Sequence, residues 1–266
     1  MRQLDRVHVY RERPNGETKF KFQDNAKYHR EIWSCQNCGH FISVHDMDLS
    51  ALYYTDYVDS TYGDLEGVRR HYERIMNLDP DQSDNVGRVS RITKFAHVHF
   101  EDLSQIRILD IGSGLGVFLA EVTGQTDWQC TALEPDPRLA EHIREELRIE
   151  TVEQDYLNLE WDRQFDIITL NKVLEHVQVP IDMLRNCVRD LATGGFLYLE
   201  LPDGKAASED EISFGREEFF IEHHHIFTEA SMNRLTRSAD LTTILTERIC
   251  EPSSKHTLYS ILDHVN

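Results

Sequence analysis

An α/β fold around a mostly parallel sheet, with a smaller module ahead of it, is what this sequence predicts, and three observations carry the prediction. From residue 106 to residue 201, apolar strand-length runs alternate with helical stretches, the order that crossover connections impose on a parallel sheet. The first of these strands runs directly into Asp110-Ile111-Gly112-Ser113-Gly114-Leu115-Gly116 and then into an apolar helix. Near the end, two strand-like runs flank the turn Glu251-Pro252-Ser253-Ser254 and would pair antiparallel.

The elements follow in order. Residues 1–63 read as a small α+β module of short strands and loops, with strands at 7–11, 18–22 and 41–44 and a turn at Pro14-Asn15-Gly16. Residues 64–104 form a helical connector. One helix covers 65–78; another covers 86–100, where Val86, Val89, Phe95 and Ala96 fall near helical spacing and Ser83 or Asp84 caps the start. Residues 105–266 carry the sheet: strands at 106–111, 128–133, 149–153, 165–170 and 196–201, helices at 115–123, 138–147, 181–191 and 228–238, and closing strands at 241–249 and 257–262.

Bulk properties narrow the function. With 47 acidic against 28 basic side chains in 266 residues, the net charge of −19 repels phosphate backbones and argues against nucleic acid as a partner. Arg69-Arg70 and the pair Arg88/Arg91 read as solvated helix positions, not as a basic patch. No apolar run nears the roughly 20 residues that cross a bilayer. The polar start Met1-Arg2-Gln3-Leu4-Asp5-Arg6 does not read as a signal peptide, and five scattered cysteines do not make a disulfide framework, so a cytoplasmic location is expected. No feature of the chain specifies an oligomeric state.

The glycine bend is the chemical signature. Glycine lets the backbone take positive φ and lets a ligand approach where a Cβ would block it, while the helix behind aims its free N–H groups into the bend. A dinucleotide site wants Gly-x-Gly-x-x-Gly, and the third slot here is Val117. The form Asp-x-Gly-x-Gly-x-Gly resembles the first motif of class I S-adenosylmethionine (SAM) dependent methyltransferases. The resemblance spans residues 105–266, and it implies that family's Rossmann-like sheet, parallel and closed by an antiparallel C-terminal hairpin. A carboxylate at a strand tip beside the glycines can accept both ribose hydroxyls, and Glu134 of Leu133-Glu134-Pro135-Asp136 stands there; the alternative is that it caps the next helix. The resemblance further implies that Asp110 orders the bend (Gly112, Ser113, Gly114, Gly116) and meets the methionine amino group. It carries adenine recognition to Asp155 and the backbone of Tyr156, and puts Asn171 and Lys172 beside the sulfonium.

On the acceptor side, Leu174-Glu175-His176-Val177 is similar to the fourth-strand motif of small-molecule methyltransferases. Some quinone-type members bind a metal through Glu-x-x-Glu-His, but Lys172 stands in the first Glu position, so no metal is implied there. There is no Asn/Asp-Pro-Pro-Tyr after the fourth strand and no Pro-Cys dipeptide, which removes support for methylation of nucleic-acid bases. Glu222-His223-His224-His225-Ile226-Phe227-Thr228 resembles a segment of sugar and natural-product methyltransferases, and His223, His224 or His225 is a candidate general base, with His176, Glu200 and Asp203 behind them. Equally, the triple histidine can anchor its loop. Tyr53, Tyr54, Tyr57 and Tyr62 resemble an aromatic lid. Cys35-Gln36-Asn37-Cys38-Gly39-His40 has the shape of half a zinc ribbon, with His8, His29, His40 or His45 as further ligands; packing alone is the other reading. The expected function is methyl transfer from SAM to a small polar acceptor such as a sugar or nucleotide-sugar. The rivals are a non-catalytic SAM-binding module and a nicotinamide-dependent oxidoreductase.

Overall fold

The structure, a computed structural model, describes residues 3–17, 27–47 and 62–264. The strand expected at 18–22, with Tyr53, Tyr54 and Tyr57, lies outside the described residues.

The main sheet has seven strands: β4 (Arg107–Ile111), β5 (Gln129–Leu133), β6 (Glu150–Val152), β7 (Phe165–Asn171), β8 (Leu191–Pro202), β10 (Leu241–Cys250) and β11 (His256–His264). Their spatial order is β10-β11-β8-β7-β4-β5-β6. Neighbours from β8 to β6 run parallel, while β11 pairs antiparallel with both β8 and β10. These strands are apolar runs because a parallel sheet is covered on both faces. One core layer gathers Leu109, Leu170, Leu184 and Leu199; the other gathers Ile108, Phe118, Ile167 and Phe196. Chain order reverses between β4 and β7, so their C-terminal ends open a crevice, the usual ligand position in such sheets.

Two helices precede the sheet. Helix α1 (Leu65–Met76) starts at Asp64, whose side chain accepts from Gly67 N; α2 (Asp84–His99) starts at Ser83, which accepts from Val86 N. After β4 come α3 (Val117–Gln125), α4 (Pro137–Glu141, extended by a π turn to Glu146), α5 (Pro180–Asp190), α6 (Gly204–Glu209) and α7 (Glu229–Ser238). Among the described residues no helix is long and apolar enough to cross a membrane.

The smaller sheet holds β1 (Leu4–Tyr10), β2 (Arg30–Cys35), β3 (Phe41–Val44) and β9 (His225–Ile226), in that order and all antiparallel. Sequence reasoning missed β2 because its charged and polar flanks mask the buried pair Arg30 and Ile32. It also missed β9, two residues from the far half of the chain. By pairing Phe41 with Ile226 and Ile42 with His225, β9 joins the N-terminal sheet to the loop after β8.

Candidate active site

The glycine bend is built as the sequence suggests. Gly112, Gly114 and Gly116 all have positive φ. At Gly116 an added Cβ would come within 2.7 Å of Leu147, so close packing against α4's extension requires glycine there. At Gly114 an added Cβ would meet nothing within 4 Å, so this glycine leaves room for something that is not protein. The amides of Gly112 and Ser113 donate to Leu133 O at 2.8 and 3.1 Å, which ties the bend to the tip of β5.

Polar side chains ring the bend. Glu134 is buried and accepts from Gly114 N at 2.8 Å and Asp136 N at 2.9 Å. Burial pushes its carboxyl up to about 7, against the pull of those two amides. Pro135 follows it, and Asp136, not Glu134, caps α4. Asp110 accepts at Oδ1 from Thr169 at 2.6 Å and from Asn171 at 2.8 Å; burial raises it to about 6, restrained by those bonds. Asn171 has its carbonyl oxygen buried without a partner. Lys172 is in the left-handed region at φ 61°, a costly conformation for lysine, and gives its ammonium to Thr257 Oγ1 at 2.8 Å.

Beyond the bend a cavity of about 460 Å³ opens toward the other wall, with Glu175, His176, Glu222 and His223 among its lining residues. His176 donates Nδ1–H to Glu222 O at 3.0 Å, and His223 donates Nδ1–H to Glu218 O at 2.9 Å. Both rings are held below the ordinary histidine range, by burial first. Glu175, weighed from sequence only as part of a metal motif that Lys172 interrupts, is buried at the cavity, and its carboxyl rises to about 8 through burial, opposed by Lys172. One ligand atom each from Glu175, His176 and His223 lies within 4.8 Å of the others. Lys172's charge acts on the same carboxylate, so a divalent cation seated there would meet a like charge.

Several candidates stand elsewhere. Glu200 accepts Arg88 through both oxygens, at 3.0 and 2.5 Å, and Arg91 at 3.1 Å. Burial alone would raise it; Arg88, Lys172 and Arg91 instead hold it far below the carboxylate range, so it keeps α2 on β8 and is unsuited to collect a proton. Arg88 and Arg91 are correspondingly not the solvated pair that their helix positions suggested. Asp203 caps α6 and pairs with Arg248. His225 lies between His40 Nε2, at 3.1 Å, and Gln178 O, at 3.2 Å; the backbone of His224 bridges Glu175 O and Ser43 N. Neither ring lines the cavity. These two histidines anchor the loop. Asp155 caps its own turn by accepting from Leu157 N, and the Tyr156 side chain is buried with its hydroxyl on Asp190. That leaves Tyr156 only its backbone to offer a ligand.

Among the described residues, no third ligand joins Cys35 and Cys38. Cys35 and Cys38 face each other on the β2–β3 turn, but His40 commits its ring nitrogens to Ser231 and His225. His8 stacks on Phe214, and His29 lies beside Glu31. Among the described residues, the metal-like grouping of side chains is the one at the cavity, not one at the cysteines. Two thiolates alone do not make a structural zinc site.

Comparison with known proteins agrees with this geometry. The family described as "Methyltransferase domain" matches residues 82–246, more than half of the chain. The chain therefore belongs to the class I SAM-dependent methyltransferases. It is similar to the ubiquinone biosynthesis O-methyltransferase of Xanthomonas oryzae pv. oryzae, 34% identical over 107 residues, covering 37% of this chain and 44% of that one. It is also similar to the protein of the same name from Rickettsia bellii, 26% identical over 117 residues, covering 42% and 48%. The chain thus matches less than half the length of these curated relatives. In fold it is similar to 1,6-didemethyltoxoflavin-N1-methyltransferase of Burkholderia thailandensis (TM-score 0.58, 19% identity, covering 94% of this chain and 100% of that one). A comparable likeness holds for the [4+2]-cyclase SpnF (TM-score 0.58, 14% identity, 80% and 97%).

Proposed function

We propose that this chain transfers a methyl group from SAM to a small polar acceptor, a sugar, nucleotide-sugar or related biosynthetic intermediate. The observation that carries the reading is the open backbone at Gly114, flanked by Asp110, Glu134 and Asn171 and continuous with a polar cavity. When bound, SAM supplies an electrophilic methyl on a sulfonium. The bend from Gly112 to Gly116, with Ser113, offers backbone to its methionine part, and Asp110 offers a carboxylate to the amino group. Glu134 accepts the ribose hydroxyls, and the turn at Asp155-Tyr156 offers the adenine a backbone edge. Asn171 and Lys172 separate this half of the crevice from the acceptor half.

Alignment supplies much of the rate in such a displacement, and the rest is removal of the acceptor's proton. His223 and His176 face the cavity as neutral rings. The curated relatives are O-methyltransferases by name, which supports oxygen as the receiving atom. Calorimetric titration tests the cofactor half: S-adenosylhomocysteine (SAH) should bind at one site and NADH should not. Binding of NADH without SAH would overturn the reading in favour of an oxidoreductase. Methyl transfer from labelled SAM to hydroxylated small molecules tests the other half; SAH binding with no transfer would mark a non-catalytic module.

A further inference from the structure

Cys35 and Cys38 are a pair of thiols that the methyl-transfer reading leaves unused. β2 ends at Cys35, and residues 36–38 turn the chain toward β3, with Cys35 N donating to His40 O at 2.8 Å and Gly39 N donating to Cys35 O at 2.7 Å. A four-residue turn holds its first and last Cα atoms within about 7 Å, and a disulfide spans about 4.4–6.8 Å, so this backbone is already shaped for a cross-link. The side chains agree. The two thiols are hydrogen-bonded to each other, both are free, and both are half-exposed, within reach of a small reagent. The amides of Asn37 and Cys38 draw the Cys35 thiol below its usual range, whereas burial pushes Cys38 up. One sulfur is thus suited to attack and its neighbour to resolve the product. Cys187 shows the inert pattern, buried and pushed up to about 12 by that burial. The turn is also a joint: Thr228, which caps α7, donates Oγ1–H to Cys38 O at 2.6 Å, and His40 reaches Ser231 at 3.2 Å and His225 of β9 at 3.1 Å.

We propose that Cys35 and Cys38 are a redox-active dithiol that closes to a disulfide by exchange with a small-molecule disulfide such as oxidised glutathione, and that the closed bond stiffens the junction of β9 and α7. In the first step the Cys35 thiolate attacks one sulfur of oxidised glutathione; a new S–S bond forms, and one glutathione leaves as a thiolate. Cys38 then loses its proton to solvent and attacks the Cys35 sulfur, expelling the second glutathione. The two protein thiols are oxidised, oxidised glutathione is reduced, and the two released glutathione thiolates take up the protons that the cysteines gave away. A structural metal would need further ligands at this turn, and among the described residues the metal-like grouping lies at the cavity instead.

Treating the whole chain with oxidised glutathione in chelator-treated buffer, then reading peptide mass and amide exchange, tests both halves. Wild type should gain a Cys35–Cys38 cross-link that excess reduced glutathione opens, with Cys187 unmodified. Cys38→Ser should instead hold glutathione on Cys35, because no neighbouring thiol is left to expel it. Amide exchange at 225–231 should slow about threefold or more in the oxidised chain, and the same treatment of Cys35→Ser should leave it unchanged. Four results would overturn the proposal: no cross-link in folded wild type, no trapped adduct in folded Cys38→Ser, equal exchange of the oxidised and reduced chains, or tight uptake of zinc alone that blocks oxidation and so marks a metal knuckle.

Discussion

Glu134 already serves the glycine bend, and the proposed ribose role would ask the same carboxylate to serve a ligand as well. Its oxygens hold the amides of Gly114 and Asp136 at 2.8 and 2.9 Å, so the tip of β5 and the glycine bend share one negative charge. Removing that charge should loosen the bend and, on the proposed ribose role, delete the acceptors for two hydroxyls. Each charge-assisted bond is worth about 1.5–3 kcal/mol, so Glu134→Ala should weaken SAH binding at least tenfold by calorimetry. Unchanged affinity in a folded variant would refute the ribose role. The position of Glu134 was legible in sequence because the spacing between glycine bend and strand tip is set locally, by one helix and one strand. Glu175 was not. Its burial is decided by the loop carrying His223 and His224, nearly fifty residues away, and no local pattern records that approach.

The elements that shape the acceptor wall come from opposite ends of the chain. Arg30 on β2 is fully buried, donates to Phe219 O at 2.6 Å and pairs with Glu17 at 3.0 Å; Glu17 in turn accepts from Ile221 N at 2.8 Å. Tyr10 on β1 adds a bond to Phe214 O. The N-terminal sheet thus grips the stretch that ends in Glu222 and His223. Sequence reading found the main sheet because its strands are apolar runs separated by amphipathic helices. It missed this grip because a buried arginine looks like a surface one until its partner is known, as Arg88 and Glu200 also show. Breaking a buried pair by removing one partner costs about 3–5 kcal/mol, because the other charge stays uncompensated. Arg30→Met should therefore lower urea-unfolding stability by about that amount. Amide exchange should quicken at 214–224 more than at the glycine bend. Equal protection of the loop in variant and wild type would show that the sheet merely rests on it.

Over the whole molecule, burial pushes two sets of groups in opposite directions, and their balance sets the pH dependence of folding. Eight histidines, among them His40, His176, His223 and His224, are held below their ordinary value, by burial first. The unfolded chain binds those protons more readily, so this set stabilises the fold as pH rises through about 6.5 and completes its contribution about one pH unit higher. Asp110, Glu134 and Glu175 are raised to about 6, 7 and 8. For them the folded state is the better proton binder, so their contribution is complete below about pH 4 and is lost as pH rises through those values. Up to about pH 7.5 the two sets oppose each other, and Glu17, Glu222 and Glu251, also raised by burial, belong with the carboxyls. Of the wild-type response between about pH 6.5 and 8, ionisation of Glu175 should account for a loss of roughly 1–2 kcal/mol, at about 1.4 kcal/mol per pH unit for a group that must ionise. Glu175→Gln, which stays neutral, should lack that loss, so the variant should gain stability relative to wild type steadily from about pH 5.5 to 8. Urea unfolding of both proteins at about pH 5.5, 6.5 and 8 reads this difference. A stability difference between variant and wild type that stays constant over this range would mean that the folded protein does not hold Glu175 protonated.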